Sequence, residues 1–479
     1  MKKFLRISAI FFSILILFFI IGLYFINSSS KSFSFKNLLG NDTKAFIKRY
    51  IFPQKLIEAQ NNRIKRQTNE ITQLKFLLGI DKKETLETYL SVDDELKFKN
   101  LLLDVKSVDT KKINLNKNLI LIKYRFLSGF YSGIKNRFPG SGYIDFHNSN
   151  LVILSARGII GYQSEISDDL VFTQIPNNLN QFININHIRI DSKFSFKDLH
   201  IHNNEVYVSY TEEKEKNCWN TSILYASFNK KNLEFEKFFS SEDCNNSISN
   251  KDGEFSSGQS GGRIIHYNKD NIILSIGDYR QRYRVQLKNF INGKVIKINK
   301  KSKNYEILSM GHRNPQGLLY DEDEKFLLQT EHGPQHGDEI NIINLNTNIQ
   351  EIPNYGWPIV SYGEHYGGRS EKNKIKYEKY PLLKPHADHG FIEPLKYFYP
   401  GIAISEIVKI GKRTYIASSL KKKSIFIFNL DKSNKIKKFQ TVEIFERVRD
   451  LKFLNKKLYL FMENTASLGI IDFANFNLS

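Results

Sequence analysis

Arginine meets a carboxylate through a planar fork of two hydrogen bonds, and a loop rich in Gly, Pro, His and carboxylate between two strands usually faces a ligand. The stretch from Gly311 to Gly363 of this 479-residue chain has both features. Arg313 and Asn314 precede Pro315, whose ring pushes Asn314 towards an extended conformation, and Gly317 lets the backbone turn into Leu318-Leu319-Tyr320. Lys325 to Thr330 reads as a strand ending in Glu331-His332-Gly333-Pro334, after which Gly337-Asp338-Glu339 opens a second alternating run, Ile340 to Leu345. Three polar clusters within one hairpin fit a ligand-facing loop better than a set of tight turns. A zinc site does not fit, because His332 and His336 are separated by a loop containing Pro334 and no third ligand is placed.

The elements that must position these residues repeat along the chain. Asn148 to Ser155 with Ile159 to Tyr162, Asn203 to Tyr210 with Ser222 to Phe228, and Lys269 to Ile276 with Gly293 to Ile298 each read as turn, strand, loop, strand. Asp323 to Thr330 with Glu339 to Leu345, Gly411 to Ser418 with Ser424 to Leu430, and Asn455 to Phe461 with Ser467 to Phe473 complete six such units. A hairpin alone cannot bury both faces, so a recurring hairpin predicts a radial array. No amphipathic helices separate the strands, which argues against a doubly wound α/β fold. The expected fold is therefore an all-β, six-bladed propeller of four-stranded blades. The longest interval, Tyr355 to Pro400, is rich in Pro, His and Tyr and reads as a lid or loop cluster.

These motifs resemble those of the soluble pyrroloquinoline-quinone (PQQ) dependent glucose and aldose dehydrogenases, the glucose/sorbosone dehydrogenase family. The likeness is carried by G-H-R-N-P-Q-G-L at Gly311 to Leu318, E-H-G-P-x-x-G-D-E-I-N at Glu331 to Asn341, and N-Y-G-W-P at Asn354 to Pro358. The resemblance implies a six-bladed propeller carrying PQQ and calcium near its axis. It implies that Arg313, Asn314, Lys421, Arg447 and Arg449 hold the carboxylates of PQQ, the last two within R-x-R-D at Arg447 to Asp450. Calcium is a hard ion that takes oxygen ligands, and the carbonyls of Gly333 and Pro334 would hold it. Asp338 matches the motif carboxylate, while Tyr355, Tyr362 and Glu364 fall near a second calcium site of the family.

Two positions depart from the pattern. Gln259-Ser260-Gly261-Gly262-Arg263 matches the family's H-x-G-G-R, but Gln259 stands where the family has its general base, a histidine. A glutamine amide does not accept a proton at neutral pH, and losing a positioned base lowers a rate by about two to four orders of magnitude. Near Lys193 to Asp198 the family has a glutamine and paired glycines, whereas this chain reads Lys-Phe-Ser-Phe-Lys-Asp. The first expectation is a PQQ-dependent aldose dehydrogenase oxidising a sugar C1 hydroxyl to a lactone. The alternative is a propeller of the same descent that binds a sugar, PQQ or an envelope protein partner without turnover.

The N-terminal segment sets the expected compartment. Lys2, Lys3 and Arg6 precede an apolar run from Ile7 to Ile26, roughly the ~20 residues that cross a bilayer as a helix, with the N-terminus cytoplasmic. No small-x-small cleavage site follows, so residues 1–27 are expected as an uncleaved anchor in the inner membrane rather than a removed signal peptide. The rest would lie in the periplasm and pass electrons to a respiratory acceptor. Residues 28–117 are expected as a helical stalk, with Ile57, Ile64, Ile71 and Leu78 at every seventh position but Gln60 and Gln67 in the other seam, and with helix running to about Val105. Residues 118–479 would form the propeller. The formal charge of +20 reads as a solvated face, because no nucleic-acid motif accompanies it. Cys218 and Cys244 are the only cysteines; the strand-like runs Ile223 to Phe228 and Leu233 to Phe239 would bring them together as one disulfide, two free thiols being the other reading.

Overall fold

In the computed structural model, residues 104–476 are described except 108, 117, 127–141, 157, 164–169, 192, 346–350 and 466. The expected membrane span and nearly all of the expected stalk lie outside the described residues. Six antiparallel sheets form, each built on a meander of consecutive strands, and two of them add strands from earlier in the chain. The innermost strands are Gly142–His147, Phe196–His202, Gly261–Asn268, Pro315–Asp321, Ile404–Gly411 and Val448–Leu454, for blades one to six. Each packs beside the next, and the sixth returns to the first, which closes the ring.

The two strands that follow each innermost strand are the hairpins read from the sequence. They are largely buried because neighbouring blades cover both faces. In blade three, Asn271–Ile276 is buried from Ile272 onward. Between blades one and two, Val152, Leu154 and Ile160 pack with Leu199, Val206, Val208 and Leu224. Between blades five and six, Ile416, Ile425 and Ile427 pack with Leu458 and Leu460. The hairpin turns that start the repeats hold Asn148, Asn203 and Asn455 at positive φ, a region that asparagine tolerates better than most residues.

The structure moves the expected boundary and adds strands. Asp104–Lys106 pairs with Val171–Ile175 as a fifth strand of blade one, so Val105 is strand rather than helix. Ile120–Arg125 pairs with Ser467–Asp472, and Asp109–Asn114 pairs with Ile120–Arg125. The propeller therefore includes described residues from Asp104 rather than from residue 118, and the hairpin of Asp109–Asn114 with Ile120–Arg125 completes the last blade. Blade two gains Asn245–Asn246 beside Cys218–Ser227. That short pairing sits next to the Cys218–Cys244 disulfide, and Ile223 to Tyr225 pair with Glu236 to Phe239 as the hairpin reading required.

Carboxylates on the inner strands bond the backbone of the neighbouring blade. Asp145 accepts from Ile201 N at 2.8 Å, Asp198 from Ile264 N at 2.8 Å, Glu406 from Leu318 N at 3.2 Å and Asp450 from Ile144 N at 2.7 Å. At their centre, Arg263 Nη1 lies 2.8 Å from Asp198, 2.8 Å from Asp450 and 2.9 Å from Glu406. Its Nε donates to Gln316 O at 2.6 Å and its Nη2 to Arg449 O at 3.1 Å. One buried guanidinium thus joins five of the six blades. Burial pushes Asp198 and Glu406 above the usual carboxylate range, against the pull of Arg263.

Removing one partner of such a cluster leaves charge buried without compensation. Arg263→Ala should lower the unfolding free energy by about 3–5 kcal/mol. A denaturant titration showing a loss under about 1 kcal/mol, the size of an exposed pair, would refute this role.

Candidate functional site

The motif of blade four lies at the mouth of the ring, where the inner strands begin. Arg313 and Asn314 immediately precede the innermost strand Pro315–Asp321. Glu331 Oε2 accepts from Arg313 N at 2.9 Å, and Arg313 Nη1 donates to His332 O at 2.9 Å. Asn314 Oδ1 accepts from Gly261 N at 3.3 Å while its amide donates to Gly258 O at 3.2 Å. Both side chains are therefore fixed by blade three and by the loop after Glu331.

That loop is tight. A Cβ on Gly333 would lie 2.0 Å from Gly337 O, so only glycine fits. Asp338 clamps it: Oδ1 accepts from Gly333 N at 3.1 Å, and Oδ2 from Ile402 N at 2.7 Å and Ala403 N at 2.5 Å. The Asp338 carboxylate is thus directed at backbone amides. None of the described residues donates a hydrogen bond to the Gly333 or Pro334 carbonyl. Behind the loop, burial and the neighbouring Glu331 carboxylate hold Glu339 well above the usual range. His332 is pushed down to about 4, first by burial and then by the charges of Arg449 and Arg313, with Asp338 opposing. Its Nε2 is buried and has no partner among the described residues.

Blade six supplies two more cations. Arg447 Nε donates to Glu463 Oε2 at 2.8 Å and Arg449 Nε to Glu463 Oε1 at 2.6 Å, so one buried carboxylate orients both. Arg449 also reaches Gln316 Oε1 at 3.0 Å. Lys421 is exposed, at the turn after the strand Thr414–Ser419. Gln259 is buried, its backbone tied to Ser256 and Tyr279.

Lys197 lies on the inner strand of blade two, Phe196–His202. Gly262, at φ +119, allows its approach: a Cβ there would lie 2.5 Å from Lys197 Cβ. The side chain is half-buried and its amine donates to Lys193 O at 2.5 Å. Burial lowers its pKa, Asp191 opposes, and the charges of Arg449 and Lys193 lower it further, to about 7.

The remaining sequence candidates are distributed around the mouth. Tyr355 is buried against His312 and donates to Ile342 O. Tyr362 donates to Glu393 at 2.8 Å and stacks on Tyr397 at 3.8 Å. Glu364 exchanges backbone bonds with Gln335. No three His, Cys, Asp or Glu side chains among the described residues form a metal-ligating group. A metal at this loop would depend on the Gly333 and Pro334 carbonyls, whose lack of donors suits a hard cation. The unpartnered His332 Nε2, with the charges of Arg313 and Arg449 on its ring, suits an anionic group that also brings hydrogen bonds.

The family model for glucose / sorbosone dehydrogenase matches residues 192–468. This chain belongs to the glucose / sorbosone dehydrogenase family. Aldose sugar dehydrogenase YliI of Escherichia coli (strain K12) is 30% identical over 158 residues, which is 30% of this chain and 38% of that protein. The chain spans little more than a third of the length of the first curated relatives it matches. In fold, it is similar to the apo-form of the soluble aldose sugar dehydrogenase from Escherichia coli, with TM-score 0.55, 18% identity, and coverage of 74% of this chain and 99% of that one. It is similar too to the PQQ-bound aldose sugar dehydrogenase from Streptomyces coelicolor, with TM-score 0.51, 15% identity, and coverage of 78% and 99%. At these identities the likeness is one of fold.

Within the glucose / sorbosone dehydrogenase frame, local sequence does not point to Trp357 and Arg280 as residues that line a cavity with Arg313 and Pro334, nor to Lys197 as a neighbour of the Arg449 charge. Trp357 Nε1 donates to the buried Asp278 at 2.8 Å, and Asp278 also accepts from Arg280 N at 2.8 Å. The N-Y-G-W-P motif was the signal for Trp357, but its partner is distant in sequence. Lys197 stood within the stretch noted only as a departure.

The clamp can be tested by itself. Asp338→Ala leaves the amides of Gly333, Ile402 and Ala403 without an acceptor, each worth about 1–3 kcal/mol when buried. Hydrogen exchange at these three amides should then accelerate at least tenfold while blades one and two are unchanged. Unaltered protection would show that another group holds the loop.

Proposed function

We propose that this protein is a PQQ-dependent aldose dehydrogenase that oxidises a sugar C1 hydroxyl to the lactone. The observation that carries the reading is a glycine-tight loop with two undonated carbonyls, whose His332 carbonyl accepts from Arg313 and whose His332 ring feels the charges of both Arg313 and Arg449, in a chain of this family. Arg313, Asn314, Arg447 and Arg449, with Lys421 at the rim, would hold the cofactor carboxylates; the Gly333 and Pro334 carbonyls would hold calcium. When bound, PQQ would supply the two-electron acceptor for the sugar. The chain's own part is to orient C1, exclude water and remove the hydroxyl proton.

Gln259 does not remove that proton, and the arginines remain protonated. His332 Nε2 is buried. Asp278 is buried and engaged with Trp357 and Arg280. We assign the proton to Lys197, which stands one position from Asp198 of the Arg263 cluster and within reach of the Arg449 charge: with burial bringing its pKa to about 7, Nζ would take the proton as a neutral amine. The remaining parts of the proposal are attachment to the inner membrane through Ile7 to Ile26, a periplasmic propeller and a respiratory electron acceptor. They are supported by the apolar N-terminal run and by the Cys218–Cys244 disulfide, a bond suited to an oxidising compartment. Gln259 favours a second reading, a propeller that binds PQQ or sugar without turnover.

Protein reconstituted with PQQ and calcium should take up the cofactor stoichiometrically and reduce a dye with aldoses. Because the base form of Lys197 is the neutral amine, kcat/KM should rise with pH through about 7. Lys197→Met should remove that limb and lower kcat by roughly a hundredfold or more, with PQQ uptake retained. Gln259→His in the same background should restore part of the rate. An unchanged profile in Lys197→Met would remove Lys197 from the mechanism, and uptake without oxidation at any pH would establish the non-catalytic reading.

A further inference from the structure

Blade two leaves a hollow at the end of the ring away from the mouth. The strand Cys218–Ser227 stays paired with Glu205–Glu215 to its last residue, but on its other side Glu236–Phe239 reaches only as far as Tyr225. Between them the chain crosses to blade one, and the diverging paths enclose an open cavity of about 790 Å³ walled by Tyr225 to Asn232, Glu234 and Glu236, with His147 from blade one. We propose that this cavity binds a neutral oligosaccharide. The site is separate from the mouth, and the proposal does not depend on the dehydrogenase reading.

The walls are held before any ligand arrives. Asn204, in the turn after the inner strand of blade two, fixes two rings at once: its Oδ1 lies 2.9 Å from His147 Nε2, and its carbonyl accepts from Phe228 N at 2.8 Å. His147 and Phe228 stack with centroids 3.6 Å apart and planes 11° from parallel. On the opposite wall, Leu233 N donates to Pro176 O at 2.9 Å, and Asn178 bonds Phe235 O and Phe235 N at 2.9 and 2.8 Å. Lys231 N donates to Asn229 Oδ1 at 2.9 Å and shapes the turn between the walls. A cavity ordered in this way costs little further ordering when it is filled. His147 is the last residue of the strand Gly142–His147, whose start is at the mouth, so the strand's length separates the two sites.

The lining has the chemistry of a sugar site rather than of an ion site. A sugar offers C–H groups on its faces and hydroxyls at its edge, which calls for aromatic surface beside groups that both donate and accept. Tyr225 and Phe228 are half-buried, so part of each remains open, and Ser227, Asn229 and Asn232 supply both donors and acceptors. Two lysines, Lys230 and Lys231, and two glutamates, Glu234 and Glu236, bring formal charges that cancel. Lys230 is also held 4.3 Å over the Tyr162 ring, and Glu234 accepts from Asn232. The volume lies within the roughly 300–1,000 Å³ of small-ligand sites and exceeds that of one hexose, which sets the ligand as an oligosaccharide.

One polar atom of the wall is left without a partner. His147 is 7% exposed, and its Nδ1 has none among the described residues. With Nε2 turned to the Asn204 amide oxygen, the proton sits on Nε2 and Nδ1 is an acceptor. Buried acceptors are nearly always bonded, and a ligand hydroxyl is the donor this one lacks. A peptide fits less well, because strand addition needs a length of free edge and only Ala226 and Ser227 lie beyond the pairing at Tyr225.

The test titrates the full chain by calorimetry with maltotriose, cellotriose, chitotriose and the acidic trigalacturonate, first without and then with PQQ and calcium. At least one neutral sugar should bind, tighter than trigalacturonate and with an affinity that PQQ leaves unchanged. Tyr225→Leu, which removes the ring and keeps apolar bulk, should weaken that binding by roughly tenfold or more. Glu236→Ala, at an exposed side chain, should weaken it severalfold while thermal unfolding matches the natural protein. Binding of none of the three neutral sugars would overturn the proposal, as would tighter binding of trigalacturonate than of any of them. So would an affinity unmoved by both substitutions, which puts the sugar elsewhere, or one lost when PQQ is added, which puts it in the mouth. A neutral trisaccharide bound in this hollow by a chain that takes up no PQQ would support this site and remove the dehydrogenase reading.

Discussion

Six sheets sharing one axis bring their innermost strands close together, and Arg263 is the group around which their polar ends are arranged. Its guanidinium faces carboxylates of blades two, five and six and carbonyl oxygens of blades four and six. A hydrophobic seam between blades fixes distance but is tolerant of sliding. Carboxylate-to-amide bonds between adjacent inner strands set register, because each one accepts from a named backbone N–H of the next blade. The mouth inherits this order: Arg449 is next to Asp450, and Lys197 is next to Asp198. Residues that would meet a ligand therefore sit one position from residues that lock the axis, and strand alternation points them elsewhere.

The same division between positioning and reacting groups recurs in the loops. Asp338 bonds three amides and shapes the Gly333 turn; Asp278 bonds the Trp357 indole and the Arg280 amide; Glu463 aligns Arg447 with Arg449. Each carboxylate is buried and accounted for by donors, which leaves the cations and the undonated carbonyls facing the mouth. This arrangement accounts for an acidic-looking motif producing a site whose available chemistry is that of holding an anion.

Closure of the ring shows how non-local pairing completes the fold. The last blade contributes three strands of its own, and Ile120–Arg125 then pairs with Ser467–Asp472 across most of the chain. This tie holds both ends of the propeller together, and no short-range pattern encodes it. The disulfide between Cys218 and Cys244 works at smaller scale, binding the end of the long hairpin of blade two beside Asn245, which donates to Trp219 O and accepts from Asn292 and Arg284.

The sequence by itself determined the all-β class, the six hairpins and the ligand-facing loop of blade four, because these depend on local properties: strand-length apolar runs, asparagine turns, and the conformational demands of Gly333 and Pro315. It also revealed that Gln259 cannot act as a base, since that follows from the amide's chemistry alone. Tertiary structure decided which of the early strands belong to the propeller, because among the described residues Asp104–Lys106 pairs only with Val171–Thr173 and the hairpin of Asp109–Asn114 with Ile120–Arg125 joins the last blade only through Ser467–Ile471. It decided that Asp338 clamps amides, that Trp357 answers to Asp278, and that Arg280 shares a cavity with Arg313 and Trp357. Each of these depends on which side chains burial and distance bring together, and in a ring of blades those neighbours come from separate hairpins whose approach no local stretch of sequence specifies.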